Sequence, residues 1–435
     1  MRREGLTHAY PEELAALVIA RLEELGVKPV GLSFPEDTNA FNAVLSVAYQ
    51  ASLLRDEDRP LTFRVTLAPR EAFDTALGPP DGAHTLHFNE PRALSVPQLK
   101  KLAPAVKFER SVVAVYRDGD QLAIWGLLHT GPRWLRFTRG GRGAVAASVP
   151  ALIVHVNGPG DIVVSLGIQT LARLYAGELN IPIVDVFQSR WLPGMFAPVR
   201  DEITRLHKAD RAASSEPWSD VDTDVIRRIG QSFIRRIIAT IRGARHGGSV
   251  LIVPPEDVDS ICVNGLIDLK YRFSEGEPRQ RFRTLMRRVM RTLAQIPQRS
   301  GSPIGWAEYE SSETREIGAL EEAVLEMAHL VSALADVDGL VLMTRRFELV
   351  GFGGIVSGAL PDVSSVSLAL DVEGQNRLQE PADVVGTRHR SAYRICRALP
   401  EALALVVSQD GSARFVRYDD EVVYWEQIAA SAFNS

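Results

Sequence analysis

Cysteine is nearly absent from this 435-residue chain, and Cys262 and Cys396 stand far apart with no Cys-x-x-Cys spacing. That excludes a disulfide scaffold and a thiolate metal cluster, and it suits a reducing compartment in which both residues are core thiols. Long apolar runs are missing as well. Arg, Asp or Glu interrupts every stretch before it nears the roughly 20 apolar residues that a membrane span requires. The N-terminal region carries Arg2 and Arg3 and then Glu12, Glu13, Glu23 and Glu24 in place of the apolar core of an export signal. A cytoplasmic protein with no membrane partner is the expectation. Charge of one sign is also lacking, since a net charge of −5 creates no global field for nucleic acid or an anionic surface. HExxH, P-loop, GxSxG and Cys/His ligand patterns do not occur, which removes the commonest hydrolase and NTPase chemistries.

What is present is the composition of an ordinary folded protein, 46% hydrophobic and 24% charged, in a chain long enough for two or three domains. Pro11 opens a helical pattern with Leu14, Leu17, Val18, Leu22 and Leu25 on one face, and Gly26 stands where such a helix stops. Phe41, Val44, Leu45, Ala48, Tyr49 and Leu53 recur at helical steps, and Thr62 to Leu67 reads as a strand. Val112 to Tyr116 and Leu122 to Leu128 form a hairpin around Asp118-Gly119. Trp134 to Phe137 adds a strand, Ala151 to Val156 and Asp161 to Ser165 flank a turn cluster at 157–160, and Leu166 to Tyr175 reads as a short helix.

The sequence turns polar between about 200 and 224, so the main boundary is expected there. Beyond it, Ile226, Ile229, Phe233, Ile234, Ile237, Ile238 and Ile241 make one apolar stripe, with Arg227, Arg228, Arg235 and Arg236 mostly off it. Ser249 to Val253 fits a buried strand. Residues 279–294 and 315–335 are helical in period. The second of these runs into Asp338-Gly339 and a strand from Leu340 to Met343, and further strands follow near 348–351 and 402–407.

The segment Gly386-Thr387-Arg388-His389-Arg390-Ser391-Ala392 concentrates donors in a loop just before a helical stretch. Guanidinium groups bind phosphate bidentately, Thr387 adds a hydroxyl, and the free N–H groups of a helix start favour anions. Upstream, Asp338-Gly339-Leu340 offers a carboxylate for a divalent cation and a glycine that admits close approach. Downstream, Val406-Val407-Ser408-Gln409 ends a buried strand in polar groups. The single Arg139-Gly140-Gly141-Arg142-Gly143 element reads as a tight loop, and the basic face of 279–291 as a solvated surface. His246 reads as an ordinary loop histidine.

These three segments, in this order and spacing, resemble the signature of diadenylate cyclase domains, with the likeness covering about 225–435. Two positions depart from it: Leu340 stands where the family has alanine, and Gln409-Asp410-Gly411 follows the serine. More faintly, Tyr49 to Leu54 with Arg59 to Arg64 resembles the DACNV sensor region that precedes some bacterial cyclase domains. The resemblance implies an α/β fold in which a C-terminal mixed β-sheet flanked by helices, at 225–435, follows a 201–224 linker. Before the linker it implies an α/β and β-rich sensor-like region at 1–200, divisible near 105 and 106.

The resemblance further implies condensation of two ATP into cyclic di-AMP and two pyrophosphates, with Asp338, Arg388, His389 and Arg390 catalytic. Gly339, Leu340, Thr387 and Ser408 join the arginines and His389 around ATP, and Asp338 holds Mg²⁺ or Mn²⁺ with Asp410 as a second candidate ligand. A homodimer of facing catalytic domains and an unidentified sensor ligand complete the partners. The alternative, motivated by Leu340 and the residues after Ser408, is a catalytically silent nucleotide-binding relative. A nucleic-acid role is disfavoured by the charge balance.

Overall fold

The computed structural model describes residues 8–73, 83–107, 110–119, 121–130, 151–167, 169–180, 185–215, 217–244, 246–297, 302–409 and 411–427. The architecture is mixed α/β. These residues fall into two compact units, one within 8–180 and one within 185–427. The strand expected at 134–137, the Arg139 to Gly143 element and Asp410 lie outside the described residues.

In the N-terminal unit, α1 (Pro11–Leu25) starts on its proline and stops at Gly26, whose φ of 64° closes the helix at little steric cost. Helices α2 (Thr38–Ser52) and α3 (Val96–Leu102) follow the same logic of one apolar face. A two-residue pair, β1 (Arg55–Asp56) and β2 (Arg59–Pro60), precedes the main sheet. That sheet comprises β3 (Phe63–Leu67), β4 (Ala83–Ala93), β5 (Ser111–Asp118), β6 (Gln121–Thr130), β7 (Leu152–Gly158), β8 (Asp161–Leu166), β9 (Gln169–Tyr175) and β10 (Glu178–Asn180), in the order β10-β9-β8-β7-β3-β5-β6-β4. It draws strands from both sides of residue 105. Among the described residues, β3 and β5 are the pair that runs parallel in it.

One face of this sheet packs on the helices through Phe63, Val65, Leu152, Val154 and Ala172. The other carries Trp125, whose indole N–H donates to the Ala68 carbonyl at 3.0 Å, and a row of polar groups. Leu166 to Tyr175, expected as a helix, contains strand β9. Gly167, at φ 57°, turns the chain back so that Gln169 to Leu174 pair with β8. Ala172 and Leu174 then point to the core while Arg173 takes the opposite face. Strand pairing satisfies backbone groups that a run this short cannot satisfy as a stable helix.

The C-terminal unit begins with α4 (Trp191–Met195) and α5 (Ala197–Ala212). The first part of the expected 201–224 linker is therefore helical, anchored by buried Ile203 and His207. Helices α6 (Asp224–Ala244), α7 (Val258–Val263), α8 (Arg281–Ala294), α9 (Trp306–Ser311), α10 (Arg315–Ala335) and α11 (Thr387–Ala398) follow. The strands are β11 (Gly248–Val253), β12 (Ile267–Arg272), β13 (Leu340–Thr344), β14 (Leu349–Val356), β15 (Ser365–Ala369), β16 (Arg377–Pro381), β17 (Leu403–Val407), β18 (Ala413–Asp419) and β19 (Glu421–Gln427). They order as β12-β14-β13-β11-β17-β18-β19-β15-β16. Alternation buries both faces of this sheet. Val250 and Ile252 face α6, α8 and α10, and Leu251 and Val253 face α7 and α11. Two α6 arginines read as off the apolar stripe are buried in ion pairs: Arg236 meets Glu321 at 3.1 Å, and Arg235 meets Asp185 at 2.9 Å.

Candidate functional site

Strand β11 is parallel to β13 and antiparallel to β17, with Val250 opposite Val341 and Gly248 opposite Val407. Hence the start of β11, the start of β13 and the end of β17 share one end of the sheet. Asp338 precedes β13 and Ser408 follows β17, so both emerge there on either side of Gly247. Two inter-strand spacings separate their backbones by about 10 Å. The Ser249 hydroxyl, 3.4 Å from the Gly339 carbonyl, ties the two parallel strands at this end.

Helix α11 brings the cationic segment to the same place. The segment expected as a loop forms the first turn of the helix, with Gly386 as its N-cap and Thr387, Arg388 and His389 as its first three residues. Helical periodicity explains the difference: Ala392, Tyr393, Ile395 and Cys396 bury one face on the sheet, which draws the preceding residues into the turn. His389 is buried, and its Nε2 lies 3.3 Å from the Ser408 hydroxyl. The Arg388 guanidinium donates to the His246 carbonyl at 3.1 Å. Thr387 and Arg390 are exposed, as is Asp338.

The local chain is shaped for this. Gly247 has φ 66°, and a Cβ there would lie 2.8 Å from the Val407 carbonyl oxygen and 3.0 Å from the Arg388 guanidinium. Gly339 has φ 113°, and a Cβ on it would meet the Gly353 backbone at 2.7 Å. Ser408 is fixed by a tight turn, its N–H donating to the Ser412 carbonyl at 2.8 Å. Below the first turn, Arg394 donates to the carbonyls of Ser357 and Gly358, at 3.0 Å each, and pins α11 to the 357–360 loop. Burial pushes the Cys396 thiol up to about 12, which makes it an inert core thiol. Burial also raises the Tyr393 hydroxyl, which accepts from Arg414 at 2.9 Å.

The structure thus joins Arg388, His389 and Ser408 through the His246-Gly247 turn and sets Asp338 at the same sheet end. Leu340 behaves differently: its side chain is buried in the core beneath α11, with only its backbone at the edge. Two contributors escaped the sequence reading, the His246 carbonyl and Gly247. The Gly247-Gly248 pair is visible in the sequence, yet nothing in it says that Arg388, far along the chain, would rest against that turn.

Such an end, with guanidinium groups, helix N–H groups, an imidazole and an exposed carboxylate, is suited to a phosphate-bearing ligand with a divalent cation. Among the described residues no group of three or more His, Cys, Asp or Glu side chains is placed to hold a metal ion. The donors fit Mg²⁺ or Mn²⁺ only in the mode in which one carboxylate and the substrate's own phosphates share the ion.

Comparison with known proteins gives one match, in the N-terminal unit. Residues 33–129 match the family model of the probable sensor domain DACNV. No curated protein and no solved structure matches the chain. The matched stretch lies in the N-terminal unit and takes in α2 to β6. Among the described residues no helix is long and apolar enough to cross a membrane.

Proposed function

We propose that the C-terminal unit is a diadenylate cyclase that condenses two ATP into cyclic di-AMP under the control of the DACNV-containing unit. The observation that carries this reading is the convergence at one sheet end of Asp338, Ser408 and the first turn of α11, three segments distant in sequence. A sensor-type domain upstream is the second support. Arg388 and Arg390 hold the triphosphate, and the His246 carbonyl keeps the Arg388 guanidinium in place before ATP arrives. His389 and Ser408 act as a coupled pair beside the phosphates. Asp338 would hold the divalent ion, which when bound would neutralise phosphate charge and acidify the attacking 3′-hydroxyl. Each 3′-hydroxyl displaces pyrophosphate from the other nucleotide, so ring closure needs two such sites facing each other in a homodimer.

The test is incubation of the 435-residue chain with ATP and Mn²⁺ and mass spectrometry of the products beside Asp338→Asn. Cyclic di-AMP from the wild type alone is expected. ATP binding without product moves the protein to the silent, nucleotide-binding alternative, and product that survives the substitution removes Asp338 from metal binding.

A further inference from the structure

On the opposite face of the C-terminal sheet from α11, α8 packs beside α5. Thr284, Arg287, Arg288 and Arg291 follow one another at i, i+3, i+4 and i+7, so a single stripe of α8 carries all four, away from buried Phe282, Leu285, Met286 and Val289. With Asp210 and Trp218 they line a cleft of about 360 Å³. That volume is in the range of small-molecule sites, about 300–1,000 Å³.

The charge in this cleft is not balanced. Arg281 pairs with Glu277 at 3.1 Å, Arg283 with Glu202 at 3.1 Å and Arg287 with Asp210 at 2.6 Å. Arg288 and Arg291 make no ion pair among the described residues, and both line the cleft. Two guanidinium groups one helical turn apart are spaced to grip adjacent phosphates. Trp218 is oriented in advance: its indole N–H donates to His207 Nε2 at 3.3 Å, with ring centroids 5.3 Å apart. Accepting that bond requires an unprotonated Nε2. Burial, the largest influence on His207, lowers its pKa in agreement. A cation pair and a fixed, half-buried aromatic plane in one concavity distinguish this stripe from a solvated basic face.

We infer that the α5–α8 cleft is a second nucleotide site, taking the phosphates of a nucleoside diphosphate or triphosphate on Arg288 and Arg291 and the base against Trp218. It lies apart from the sheet end and does not depend on the cyclase reading. The test is calorimetric titration of the 435-residue chain with ADP. Arg288→Gln/Arg291→Gln, at exposed positions, should melt like the wild type and lose one class of ADP sites, with affinity there down more than tenfold. Arg388→Ala/Arg390→Ala should retain that class, whatever the cyclase assay returns. Trp218→Ala should weaken ADP while binding inorganic tripolyphosphate within twofold of the wild type. Unchanged ADP binding in the double glutamine variant overturns the site. Equal losses of ADP and tripolyphosphate in Trp218→Ala, or equal wild-type affinity for both, overturn the nucleotide assignment.

Discussion

Both units set polar side chains on a β-sheet, but they treat them in opposite ways. In the N-terminal unit the polar groups sit on a sheet face, largely buried and mutually bonded. Arg173 grips Asp161 with two bonds of 2.8 and 2.9 Å, and His155 meets the Ser165 hydroxyl at 2.8 Å. In the C-terminal unit they gather at a sheet end, where Asp338, Thr387 and Arg390 stay exposed and Arg388 is held by a main-chain carbonyl. Buried pairs that satisfy each other fix register and fold. Side chains left facing water at a strand end retain free valences for a ligand. By this contrast, substitutions in the first group should act on stability and those in the second on chemistry.

The largest effect expected is on chemistry. Asp338→Asn should lower cyclisation on the order of 10⁴-fold, about 5.5 kcal/mol in the barrier, with an unchanged thermal midpoint. A shifted midpoint would erase the contrast. Next, Asp161→Ala removes the carboxylate that takes two bonds from the buried Arg173 guanidinium and should cost about 3–5 kcal/mol in denaturant unfolding. Retained stability there would show that the pair is dispensable. Gly247→Ala crosses the two categories. Its φ of 66° and the crowding by Val407 and Arg388 predict a loss of about 1–3 kcal/mol together with reduced turnover.

A further effect concerns pH. Burial, reinforced by the Arg64 charge, holds His155 down to about 3 from its ordinary 6.5. The native state then binds fewer protons than the unfolded chain between those values, so stability contributed by neutral His155 is full above pH 6.5 and falls as the pH drops toward 3. Linkage to a single proton makes about 1.4 kcal/mol per pH unit the ceiling for this one group. His155→Gln should flatten the slope of unfolding free energy against pH across that window.

Much of the fold is legible in the sequence because its elements carry one clear period each. The apolar stripe of α6 and the Asp118-Gly119 hairpin are local facts, and the structure repeats them with ends moved by a few residues. Within strand β9, Leu171 and Leu174 stand at the spacing of a helix face. Its true partner, β8, is a tertiary fact. The site divides the same way: the donor-rich segment at 386–392 is visible as residues, but its place in the first turn of α11 depends on packing against β17 and β18. Leu340, placed around ATP by the resemblance, has its side chain turned inward by strand alternation.

The bond between Arg388 and residue 246 runs to the main chain, and this divides what natural variation can touch. Every amino acid at position 246 presents a main-chain carbonyl, so the imidazole there can be replaced without removing the acceptor of the guanidinium. Position 247 has no such latitude. Two neighbours in one turn therefore face very different selection, and a mutational scan of the turn should return a tolerant site beside an intolerant one.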